Sequence, residues 1–252
     1  VEAQRWLLVP FQATGLFSLR ESLATSWVAK TNLLPTPYSI KLAMLEGAIR
    51  SQGVAAAAAL FPIIRDREIC IEPPVRLAVT GTLVKVLRVT EEKGKREDKT
   101  GPDPAEREPF KGAMAYREFV FYGSDVTLAM DVTGLGDGEC NDLVRALRHV
   151  SSFGKRGSFF QNRWQEQVVE GVTPGLTFAR RVDRLGSRFY VDQVIQQYDE
   201  MGPEATWEAV NTYSTKPVRL GLERVLVPYA IPLRMRQTGA RFVIYERSDV
   251  TV

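Results

Sequence analysis

The sequence predicts an α+β chain built on a βαββαβ, ferredoxin-like (RRM-like) sandwich, with a β-rich C-terminal region. Three observations predict it. The hydrophobic period is helical from Thr36 to Gly53 and switches to two from Arg76 onward. The order along the chain reads strand, helix, strand, strand, helix, with a candidate closing strand later. A long charged excursion, Glu91 to Glu108, lies between two long alternating segments.

The elements follow in order. Arg5 to Pro10 (RWLLVP) reads as the opening strand, while Gln12 to Thr31 has no clean period and stays unassigned. Thr36 is a good N-cap, and Pro37 suits the first helical position, where a missing N–H costs nothing. Tyr38, Leu42, Leu45 and Ile49 share one helix face, widened by Ile40, Met44 and Ala48, and are the expected buried stripe. Gly53 closes this helix, and the alanine-rich Val54 to Phe61 adds a second. Leu77, Val79, Leu83, Val86 and Val89 punctuate a strand from Arg76 to Thr90. Ala113 to Tyr122 and Val126 to Val132 read as two further strands joined at Tyr122-Gly123-Ser124-Asp125, and the excursion is placed between the two central strands of the sandwich. Cys140 to Val150 reads as a helix burying Leu143, Val144, Leu147 and Val150, with Asp137 or Glu139 at its positive end. Farther on, Gln193 to Tyr198 and Glu204 to Val210 are read as short helices. Leu222 to Ala230, Arg234 to Arg236 and Arg241 to Tyr245 are read as strands.

Composition narrows the function classes. The 252 residues are 44% hydrophobic and 25% charged, an ordinary globular balance that excludes collagen-like, disordered and disulfide-scaffold classes. With two cysteines, Cys70 and Cys140, and one histidine, His149, a Cys/His zinc site is excluded on ligand number, and no metal or other cofactor is expected. No apolar run approaches the ~18 residues of a membrane span, no signal-peptide pattern is visible, and the cytoplasm is the expected location. The net charge of +3 is too small to argue from by itself.

The segment with most chemistry is SSFGKRGSFFQNRW, residues 151–164. Gly154 and Gly157 flank Lys155 and Arg156. Glycines let a backbone approach a phosphate closely and form anion-binding nests, and the basic pair supplies the opposing charge. Phe159, beside Phe153, Phe160 and Trp164, offers rings that stack on unpaired bases. The competing reading is a surface turn whose rings enter the core. Arginines crowd the second half: Arg163, Arg180, Arg181, Arg184, Arg188, Arg219, Arg224, Arg234, Arg236 and Arg241, with Lys216. They fit either a phosphate-facing groove or a solvated surface. His149, next to Arg148 at a helix end, is the one available histidine for acid–base chemistry, and no carboxylate cluster of the kind metal catalysis favours is visible.

LPTPYSIKLAMLEGAIR on the first helix, the AYREFVFY strand and the FGKRGSFFQ loop together resemble the CRISPR-associated RAMP proteins. Within them the resemblance is to the subunit that caps the 5′ handle of crRNA in type I Cascade-like surveillance complexes. It covers roughly residues 1–165. The glycine loop lacks the longer multi-glycine run of many RAMP proteins. The resemblance implies a ferredoxin-like RAMP domain over 1–165, with a β-hairpin thumb at about 85–117 and a glycine loop at 153–160, followed by a smaller β-rich region, 166–252. It implies an RNA-binding structural subunit of the interference complex that holds the crRNA handle and helps assemble the effector for target DNA recognition. The implied partners are crRNA, the backbone and large subunits and, indirectly, target DNA, with no membrane. The expected RNA-binding residues are Lys85, Arg88, Lys111, Tyr116 and Arg117 on the thumb, and Gly154, Lys155, Arg156, Gly157, Phe159 and Arg163 around the loop; none is expected to be catalytic. One subtype of the family cleaves precursor crRNA, so a metal-independent endoribonuclease using His149, or a tyrosine with a lysine, is the alternative. A small-molecule enzyme or a protein scaffold stays open as a third class.

Overall fold

The computed structural model describes residues 3–24, 28–89, 110–155, 157–171, 174–184, 192–211 and 213–249. The chain is α+β, with antiparallel pairing dominating three sheets. The first sheet holds β1 (Arg5–Ala13), β3 (Ile69–Glu72), β6 (Val126–Asp131) and β7 (Phe160–Asn162) in the order β3-β6-β1-β7. Every neighbouring pair is antiparallel, and β8 (Gln167–Glu170) also pairs with β1.

Alternation along β1 explains how this sheet is covered. Leu7, Val9 and Phe11 enter the main core with Ile69, Ile71, Val126, Leu128 and Met130. Trp6 faces the other way with Cys70 and Ala129, under Val169 and Phe178. Helices α1 (Pro37–Gln52), α2 (Val54–Asp66) and α3 (Asp137–Arg148) contribute their apolar residues to the main core. Thr36 caps α1, its side chain accepting from the Ser39 N–H. Gly47 lets α1 meet α3, since a Cβ there would collide with the Ala146 carbonyl.

The structure corrects the assignment of the central strands. The long strands β4 (Arg76–Val89) and β5 (Phe110–Tyr122) pair over thirteen positions, but not in the first sheet. They belong to a second sheet, in the order β12-β13-β4-β5-β2, with β2 (Val28–Ala29), β12 (Leu233–Thr238) and β13 (Phe242–Arg247). The strand next to β6 is the short Ile69–Glu72, four residues without room to display a period. The whole hairpin is therefore inserted between β3 and β6, and Gly123–Ser124 marks a change of sheet rather than a hairpin turn. The charged excursion 91–108 lies outside the described residues.

The third sheet joins β9 (Arg180–Arg181), β10 (Val194–Met201) and β11 (Arg224–Ile231). Residues 193–198, expected to be helical, are mostly strand: Val194 to Met201 pair residue by residue with β11. Val194 and Ile195 are β-branched and Tyr198 is aromatic, residue types that favour a strand once a partner such as β11 is available. Its neighbour α4 (Trp207–Val210) is helical as expected. Tyr198 and Tyr229 stack at 5.3 Å and are fully buried in the same core as β1 and α1. Lys41 of α1 and Glu200 of β10 form an ion pair at 2.8 Å with side chains 3% and 8% exposed.

Candidate functional site

A groove of about 1030 Å³ runs along the outer side of α1. Tyr38, Leu42, Leu45 and Ile49, the stripe expected to be buried, line it. Tyr38, Leu42 and Ile49 are only partly buried, while the deepest face of α1 is Ile40, Met44 and Ala48. The apolar residues of the helix extend beyond one stripe, and α2, α3 and β10 all pack against it. Leu19 and Arg20, from the connection after β1, line it together with Trp207, Val210 and Tyr213 and with Gly154, Lys155 and Phe159 of the glycine loop.

The glycine loop is tightly folded. Ser152 bridges Phe159, and Ser158 N–H donates to the Lys155 carbonyl at 3.1 Å. Gly154 (φ 75°) and Gly157 (φ 100°) take left-handed conformations that side chains rarely adopt. The four rings of this segment divide cleanly. Phe153 and Phe160 enter the core, 4.8 Å apart, beside Phe11 and Phe17. Phe159 and Trp164 remain 54% and 63% exposed. Two of the rings thus enter the core and two stay at the surface. Arg156 lies outside the described residues.

Lys155 and Arg20 are exposed and form no side-chain hydrogen bond or ion pair with another described residue. The other cations at the groove are committed. Arg50 reaches Glu46 at 3.9 Å and Ser151 Oγ at 3.4 Å. Arg224 sits 3.5 Å from Asp199, which also accepts from the Ser22 hydroxyl, and lies 5.9 Å from the Tyr38 ring centroid. Burial raises the Tyr38 hydroxyl above its ordinary range, so it stays a neutral phenol. Arg20 was not foreseen from the sequence because its segment has no period; the signal available was an arginine within a stretch rich in serine and threonine.

Arg163 lies past the loop, tied to Asp125 at 3.2 Å and to Gln12 Oε1 at 2.9 Å. The arginine-rich second half is largely neutralised in the same way: Arg181 pairs with Asp183, Arg219 with Glu223 and Arg234 with Glu246. Arg188 is outside the described residues.

The hairpin residues are not gathered at the groove. Lys85 is exposed on β4, on the same ladder face as Tyr116, whose ring fills the space a Cβ on Gly81 would need. Arg117 lies on the opposite face and donates to the Tyr116 carbonyl at 2.8 Å. Arg88 and Lys111 are opposite each other in the ladder, with side chains outside the described set. What links the hairpin to the loop is Ser18: its hydroxyl donates to the Glu118 carbonyl, and its N–H donates to Ser158 Oγ at 3.1 Å. The outer part of the Lys85 face was also unforeseen: Leu83, Leu87, Phe110 and Met114 are each more than half exposed.

His149 caps the C-terminus of α3, its Nδ1 donating to the Arg145 carbonyl at 2.9 Å.

No protein-family model matches the chain. A CRISPR-associated protein Cas5 from Archaeoglobus fulgidus is 25% identical over 246 residues, covering 96% of this chain and 98% of that protein. The alignment extends the resemblance seen in residues 1–165 through the C-terminal third. A crystal structure of a CRISPR protein from the same organism superposes with a TM-score of 0.50 at 12% identity, over 96% of this chain and 92% of that one, which supports a shared fold. The resemblance to CRISPR-associated proteins read from the sequence is thereby borne out.

Proposed function

We propose that this chain is an RNA-binding structural subunit of a Cascade-like CRISPR interference complex, holding the 5′ handle of crRNA and helping to assemble the effector for target DNA recognition. The observation that carries the reading is the lining of the groove. The glycine loop brings Lys155 and the exposed Phe159 ring to a groove that Arg20 also lines, and neither cation is paired with another described residue, a combination suited to phosphate and an unstacked base. The Cas5 relative supplies the biological setting.

The sheet order β3-β6-β1-β7, antiparallel throughout, supports reading residues 1–165 as the ferredoxin-like domain, with β4 and β5 as the thumb. The apolar outer face of that hairpin suits contact with backbone or large subunits better than contact with phosphate. The alternative, a processing endoribonuclease, would have to use the exposed Nε2 of His149, since Nδ1 is engaged with the Arg145 carbonyl.

The test is binding of repeat-derived, single-stranded crRNA across a salt series. Replacing Lys155 and Arg20 with Ala should weaken binding and flatten the slope of log K against log salt by about 0.7 for each lost phosphate contact. An unchanged slope removes the groove from the RNA path. Incubation with repeat RNA separates the alternative: cleavage by the unmodified chain that His149→Ala abolishes would make it a processing endoribonuclease.

A further inference from the structure

We propose that Trp164 is a second, built nucleobase-stacking site, placed where an unpaired strand leaves the glycine loop. The inference rests on the RNA reading above and adds a contact outside the groove. Trp164 is the one non-glycine residue with positive φ among the described residues, at 57°. A bulky side chain is disfavoured there, and such strain persists only where surroundings hold it. The hold is visible: its N–H donates to Oδ1 of the buried Asn162 at 2.6 Å.

The ring is nevertheless 63% exposed, so burial does not account for the strain. One face is backed by the Arg148 guanidinium, 4.8 Å from the ring centroid. Arg148 is itself fixed by two hydrogen bonds to Glu166, at 2.9 and 3.1 Å. Glu166 is 5% exposed, and the Arg148 hydrogen bond holds its carboxyl below the usual range, so the support stays charged at neutral pH. A flat ring with a guanidinium behind it and solvent before it is arranged to receive another flat π-system. The neighbouring cations Arg148 and Arg163 are paired with carboxylates, so the platform offers stacking rather than phosphate charge. Phe159 and Trp164 are five positions apart on one segment. The strand between them, Phe160–Asn162, is only three residues, about 10 Å long, so one unpaired strand can pass both rings.

The experiment compares the unmodified chain with Trp164→Ala, Trp164→Phe and Trp164→Gly. The probes are a single-stranded repeat-derived oligoribonucleotide and a version with abasic positions. Trp164→Ala and Trp164→Gly should each bind about ten-fold more weakly with an unaltered salt slope, and Trp164→Phe should keep most of the affinity. The abasic probe should erase the difference between the variants. Trp164→Gly relieves the left-handed strain and should melt no lower than Trp164→Ala, which separates a binding role from a structural one. Equal RNA affinity of the unmodified chain and Trp164→Ala overturns the inference while leaving the groove reading intact. Normal RNA binding by Trp164→Ala combined with failure to enter the complex also overturns it, making the ring a protein contact. Absence of RNA binding by the unmodified chain overturns the RNA reading itself, and this inference with it.

Discussion

Leu19 packs against Gly154 so closely that a Cβ on residue 154 would lie 2.8 Å from Leu19 Cδ1. This contact seats the glycine loop on the connection that also carries Arg20, and so bears on the spacing of Lys155 and Arg20, neither paired with another described residue. Gly154→Ala meets two penalties: the left-handed φ of 75° and the collision with Leu19. We expect a loss of about 1–2 kcal/mol from the backbone alone. Gly157→Ala, with open space around its Cβ position, should show only the backbone part. Urea denaturation of both variants checks this; a smaller loss at 154 than at 157 contradicts the packing argument.

Much of the site was legible in the sequence because its chemistry is local. The loop 151–164 announces itself by Gly-Lys-Arg-Gly and by its rings, and Gly154, Lys155 and Phe159 are among the residues that line the groove. The fate of each ring was not legible, because it depends on which strand crosses beneath it. Nor was the partnering of the arginines: Arg163 is neutralised by Asp125, thirty-eight positions earlier. The central sheet was misassigned for a related reason. The strand next to β6 is only Ile69–Glu72, while the louder alternation belongs to an inserted hairpin. Strand length is a local signal; membership of a sheet is set by long-range pairing.

The buried pair Lys41–Glu200 joins α1, which lines the groove, to β10. Glu200 Oε1 also accepts the Met201 N–H, and Lys41 Nζ donates to the Arg65 carbonyl. Removing one member strands the other charge away from water. Lys41→Met should cost about 3–5 kcal/mol, whereas Lys41→Met combined with Glu200→Met should recover much of that loss. Chemical denaturation of the two single variants and the double variant measures the coupling. Additive losses would mean the two charges are solvated separately.

Arg219 grips Glu223 with its guanidinium, and this hydrogen bonding lowers the Glu223 carboxyl from an ordinary 4.5 to about 2. A folded-state value below the unfolded one means that the folded chain binds fewer protons between them. The stabilisation is therefore complete above about pH 4.5 and is lost as pH falls toward 2. Denaturation midpoints of the unmodified chain and Glu223→Gln should differ by a constant amount from pH 7 to 5 and converge as pH approaches 2. A gap that widens on acidification would reverse the sign of this argument.

The hairpin gives the last prediction. Near its base, Leu77, Val79, Val120 and Tyr122 on one ladder face enter the core. On the same face farther out, Leu83, Leu87, Phe110 and Met114 are 64%, 68%, 52% and 53% exposed. The alternation that builds the core thus continues outward onto solvent, where it buries little apolar surface. Such a patch fits a contact with a protein neighbour, because phosphate has no use for it. Leu87→Ser with Met114→Ser should change the denaturation midpoint little, within about 0.5 kcal/mol for exposed positions. RNA binding by the isolated chain should be unaffected. Co-purification with the other subunits of the complex should fall sharply, and self-association at high concentration should decrease. If the doubly substituted chain enters a complete complex as readily as the original, the hairpin is not a protein-docking arm. If it loses RNA affinity instead, with assembly intact, the outer face belongs to the RNA path.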